Sequence, residues 1–113
     1  MTTITINEAQ RTVKVEGHAD FAERGKDIVC AAVSALVWTL AGVLQARDAL
    51  QCVVTEDGRM LVTYREAPGV EYYLDMFGIG AELLSFKYPD NVRVQGRKSI
   101  NQSDNMEMKG GVA

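Results

Sequence analysis

The chain holds a single histidine, a single tryptophan, two prolines and two cysteines in 113 residues. Each scarcity removes a class of function. Two cysteines without C-x-x-C spacing supply neither a zinc site nor a disulfide framework. The sequence therefore predicts free thiols, no metal, no cofactor and a cytoplasmic setting. Basic residues number 12 against 15 acidic ones, leaving a formal charge of −3. A nucleic-acid surface shows as a clustered excess of Lys and Arg, and here the basic side chains are scattered among acidic ones, so no nucleic-acid partner is expected. A charged leader followed by an apolar core is also missing, because Met1 to Ile6 already alternates like a strand. The longest apolar stretch, Ile28 to Leu44, includes Ser34, Thr39 and Gly42 and falls short of the roughly 20 apolar residues a membrane span needs. No membrane association is expected.

What remains is the composition of an ordinary globular protein, 47% hydrophobic and 24% charged, at a length that suits one domain of about 100–150 residues. Thr2 to Ile6 and Arg11 to Glu16 alternate apolar and polar residues across a short polar connection, the pattern of a β-hairpin whose inner face carries Ile4, Ile6, Val13 and Val15. From Asp27 to about Arg47 the pattern turns helical, with apolar side chains on nearly every side, so a sheet alone leaves part of that helix uncovered. Gln51 to Glu56 and Arg59 to Arg65 flank Asp57-Gly58, a dipeptide suited to a tight hairpin turn. Val70 to about Lys87 is helical again, interrupted by Gly78 and Gly80 and stopped at Tyr88-Pro89-Asp90. A short strand over Asn91 to Val94 closes the domain. The order predicts an α+β domain, a two-layer ββαββα arrangement in which an antiparallel sheet of hairpins packs against two helices. Residues 1–94 form that domain, and 95–113, polar and without period, are expected to be a disordered tail.

The candidate chemistry lies between the first hairpin and the first helix. His18, the chain's only base of its kind, follows a strand end, and Cys30 opens the longest apolar run. One base and one thiol are the minimum for a cysteine nucleophile. Asp27 is a plausible N-cap, and a helix begun there puts Cys30 in its first turn, where the helix N-terminus favours a thiolate. Glycines 17 and 25 bracket a charged segment that reads as a mobile loop. Asp27 either caps the helix alone or also orients His18. Ser34, one turn after Cys30, either bonds a carbonyl of the preceding turn or reaches the site. Cys52, in strand alternation beside Val53 and Val54, reads as a structural core thiol. Trp38, Tyr72, Tyr73 and Phe77 offer an apolar groove, though aromatic residues at helical spacing more often belong to a core or a dimer interface.

Gly17-His18-Ala19, an intervening segment with Gly25 and Asp27, and then Ile-Val-Cys-Ala-Ala-Val-Ser through Ser34 resemble the signature of Prp, the bacterial ribosomal-processing cysteine protease family. The resemblance runs to Tyr-Pro-Asp-Asn-Val-Arg-Val at 88–94. It implies a cytoplasmic, homodimeric endopeptidase that removes an N-terminal extension from large-subunit ribosomal protein twenty-seven, cutting after a Phe-containing apolar motif. The nucleophile would be Cys30 and the base His18, with Asp27 and Ser34 in supporting roles and backbone N–H groups near the helix start holding the oxyanion. Two other readings remain: a phage-type relative that processes capsid or scaffold protein, and a non-catalytic dimeric peptide-binding module.

Overall fold

The computed structural model describes residues 1–23 and 25–96. Strands β1 (Thr2–Asn7) and β2 (Thr12–Glu16) form the first hairpin. Helix α1 (Ile28–Ala46) follows, then a second hairpin of β3 (Leu50–Glu56) and β4 (Arg59–Tyr64). Helix α2 (Val70–Lys87) and a short β5 (Val92–Gln95) complete the order. The sheet has the order β3-β4-β2-β1-β5. The ββαββα succession and the α+β class match the expectation. The sheet is mixed rather than wholly antiparallel, because β5 returns from α2 to pair parallel with β1, Thr2 facing Val92 and Thr5 facing Gln95.

Register explains the core. Ile4 lies opposite Val15, which lies opposite Met60, and Ile6 lies opposite Val13, which lies opposite Val62. Directly paired residues share a face, so these side chains form one apolar surface, and all but the half-buried Val15 are buried. Val29, Val33, Val37, Leu40, Ala41 and Leu44 of α1 are buried in that core, with Leu74, Phe77 and Ala81 of α2. At 19 residues α1 runs past the apolar stretch read from the sequence, and by length and composition it is long enough to cross a membrane. Here those buried side chains make it the central core helix. Gly80, which weakens α2 by propensity, serves a close approach: a Cβ there would lie 2.8 Å from Leu36 Cδ1 of α1.

Cys52 corrects the sequence reading. It is exposed, not a core thiol. A register shift between Leu50 and Cys52 places Cys52 opposite Thr63, off the core-facing set, on a strand at the edge of the sheet. The last strand, read from the sequence as Asn91 to Val94, runs from Val92 to Gln95. The remainder of the expected tail, from 97 onward, lies outside the described residues.

Candidate active site

The topology brings distant parts of the chain to one end of the sheet. There β1 and β5 begin, β2 ends, and the β3–β4 turn lies alongside. The N–H of Gly17, just past β2, donates to the carbonyl of Gly58 in that turn at 2.8 Å. His18 follows immediately, and its ring rests on the turn: a Cβ at Gly58 would come within 3.2 Å of Nε2.

The start of α1 is built around Asp27. Its Oδ1 accepts the N–H of Val29 at 3.0 Å and of Cys30 at 2.9 Å, the geometry of an N-cap. The other oxygen, Oδ2, accepts the N–H of Phe21 at 2.9 Å and of Ala22 at 3.3 Å. These donors, led by the Cys30 N–H and only partly opposed by burial, hold the Asp27 carboxyl below the ordinary carboxylate range. The side chain therefore does more than cap. It ties the helix start to the loop that carries His18, although among the described residues no bond joins it to the imidazole.

Cys30 is half-buried, and the N–H of Ala19 donates to its Sγ at 3.4 Å. Ala19 is fully buried, and its carbonyl accepts from Nδ2 of Asn91 at 2.8 Å. Phe21 meets Tyr88 edge to face, ring centroids 5.3 Å apart. The segment read from the sequence as a mobile loop makes these contacts at Ala19, Phe21 and Ala22. The N–H groups expected to hold the oxyanion are also partly committed, because those of Val29 and Cys30 already serve Asp27. The donor facing the sulfur comes from Ala19.

His18, Asp27, Cys30 and Ser34 all line one cleft of about 760 Å³. Ser34 is exposed there, one turn beyond Cys30. Val37, Trp38 and Met60 give the cleft an apolar wall, and Glu56 and Arg59, ion-paired at 2.6 Å, lie on the turn side. Of the aromatic residues singled out in the sequence, Trp38 alone lines this cleft; Phe77 is core, and Tyr72 is exposed on α2. Sequence reasoning missed Gly58 and Asn91 as neighbours of the segment that carries His18 and Ala19. Asp57-Gly58 signalled only a turn, and nothing local reveals that a turn near 58 and another near 91 meet the segment at 18–19.

The family described as cysteine protease Prp matches residues 1–93. Over 35 residues the chain is 54% identical to the ribosomal processing cysteine protease Prp of Mycoplasma genitalium, a match covering 31% of this chain and 35% of that relative's length. Among solved structures, an essential ribosomal processing protease Prp from S. aureus, in complex with a covalently linked product peptide, aligns with a TM-score of 0.72 at 22% identity, covering 85% of this chain and 97% of that one. A Streptococcus mutans protein aligns with a TM-score of 0.61 at 28% identity, covering 85% of this chain and 93% of that one.

Proposed function

The chain belongs to the Prp cysteine protease family, and from that premise we propose that it is an endopeptidase with Cys30 as nucleophile and His18 as general acid and base. The observation that carries this reading is that the only histidine and Cys30 both line one cleft, with a backbone N–H aimed at the sulfur. The Cys30 thiolate attacks the scissile carbonyl carbon, forming a C–S bond and a tetrahedral oxyanion. Collapse of that intermediate breaks the C–N bond, and protonated His18 gives its proton to the leaving amine. Neutral His18 then takes a proton from water, whose oxygen attacks the thioester and returns Cys30 as thiolate. Asp27 fixes the helix start and the loop; Ser34 sits in the cleft as a polar support.

The substrate we propose is the N-terminal extension of large-subunit ribosomal protein twenty-seven, cut after a Phe-containing apolar motif. The apolar wall of Val37, Trp38 and Met60 beside the dyad supports an apolar side chain near the scissile bond. The relatives' role in ribosomal processing supports the same substrate class. We place the enzyme in the cytoplasm as a homodimer. The test is cleavage of a peptide spanning the extension junction. Cys30→Ala is expected to abolish cutting, with little change in melting temperature, since alanine is a good helix former. His18→Ala is expected to bind peptide and turn over about 10²–10⁴-fold more slowly. Wild-type cleavage by Cys30→Ala overturns the assignment.

A further inference from the structure

We propose that Asn91, 61 positions beyond Cys30 in the chain, is a positioning residue for the nucleophile, acting through the backbone of Ala19. This inference rests on the dyad reading above and extends it to the α2–β5 turn.

The geometry runs in one line from that turn to the sulfur. Asn91 Nδ2 donates to the carbonyl of Ala19 at 2.8 Å, and the N–H of Ala19 donates to Cys30 Sγ at 3.4 Å. Ala19 itself is fully buried, so its backbone has few ways to move without breaking one of these bonds. The turn that carries Asn91 is firmly held. Its backbone N–H donates to Tyr88 O at 3.0 Å, and its carbonyl accepts the N–H of Thr2 at 2.8 Å. The edge-to-face contact of Phe21 with Tyr88 joins the same loop to the same turn a second time. His18 is the residue next to Ala19. One amide side chain on a rigid turn therefore fixes the peptide between the base and the sulfur, and supports a reacting group from behind.

The two backbone bonds of residue 91 survive substitution, which makes the side chain separable from the fold. Asn91→Asp keeps the shape but removes the donor and sets an anionic oxygen against a carbonyl. Asn91→Ala removes the side-chain bond outright. Both variants are compared with the wild type for kcat and KM on the extension-junction peptide. Iodoacetamide modification of Cys30 is followed by mass spectrometry, with the exposed Cys52 of the same molecule as the internal reference. Expected are a fall in kcat and in the Cys30 rate of about 10- to 100-fold, the scale that follows misplacement of a reacting group, with KM and the Cys52 rate nearly unchanged. A merely structural role would not lower Cys30 against Cys52 in a folded protein. Wild-type kcat with a wild-type ratio of the two thiols overturns the proposal, as does loss of activity with that ratio intact. Failure of both variants to fold would assign the bond to the fold and overturn it equally. Cys30→Ala, run alongside, separates the two readings. If it cuts peptide, the dyad fails; if it is inert while Asn91→Asp behaves as wild type, only this inference fails.

Discussion

At Gly58 one added methyl group tests how tightly the imidazole is held. The residue sits at φ +72°, where an L side chain costs about 1–2 kcal/mol, and its Cβ would press on Nε2 of His18 at 3.2 Å. Gly58→Ala should lose both stability and cleavage. Gly58→Asn should regain much of the stability, because asparagine tolerates left-handed backbone, yet stay impaired in cleavage because its Cβ still crowds the ring; melting curves and the peptide assay read the two effects apart. Asp27 gives a pH prediction. Its carboxyl is held below the ordinary value of 3.8, chiefly by the Cys30 N–H. A group depressed in the folded state adds stability that is fully present above its unfolded value and lost as pH falls through the folded one. The loop over Phe21 and Ala22 and the first turn of α1 should therefore loosen together only in acid below about pH 4. Asp27→Asn should split them at neutral pH: its amide oxygen can still cap Val29 and Cys30, but its NH₂ cannot accept from Phe21 and Ala22. Amide exchange should speed up at the latter pair and stay slow at the former. Cys52→Ala, an exposed site, should change neither melting nor cleavage.

The elements were legible in the sequence wherever one local rule decided them. Strand alternation found both hairpins, Asp57-Gly58 found the turn between β3 and β4, and Asp27 marked the start of α1, its side chain making the expected cap bonds. What the sequence hid was pairing over distance. A four-residue strand such as β5 has no pattern that names a parallel partner, and a one-residue register shift in β3 was enough to turn Cys52 outward. Asn91 escaped for the same reason, since a bond across 72 positions leaves no trace in spacing. The last strand reaches Gln95, one residue past the Val94 end read from the sequence, and that residue yields a check. Truncation after Val94 removes the Thr5–Gln95 pairing, whereas truncation after Gly96 keeps it. The shorter chain should be less stable by on the order of 1 kcal/mol, the scale of a ladder hydrogen bond. Equal urea midpoints for the two truncations would place Gln95 outside the cooperative unit.

For the whole molecule, the remaining apolar surface decides the oligomeric state we expect. The sequence pointed to α1 as the helix too apolar for one sheet to cover, but the fold resolves most of that demand internally. Six of its side chains are buried in the core, and the exposed Trp38 lines the cleft. Apart from Ile28 at the start of α1, the large apolar side chains that the helices expose outside the cleft lie on α2: Tyr72, Met76, Ile79 and Phe86. Their separations of 4, 3 and 7 positions align them along one side of the helix, opposite in character to the buried Leu74, Phe77 and Ala81. A contiguous exposed apolar stripe of this kind marks an association surface, and a second copy of the chain can present the same stripe in a self-complementary pairing. Light scattering at micromolar concentration should therefore give about twice the 12.4 kDa chain mass. Met76→Glu with Phe86→Glu places one charge in the middle of that stripe and one at its C-terminal end. If each costs the ~2 kcal/mol typical of a residue that dominates an interface, the dissociation constant rises by at least about 10³, since 1.4 kcal/mol is tenfold and a self-complementary interface carries each substitution twice. The double variant should scatter as a monomer while leaving the cleft residues in place, so that the ratio of Cys30 to Cys52 alkylation rates stays at its wild-type value. A wild-type monomer, or a double variant that remains dimeric, would remove α2 as the interface.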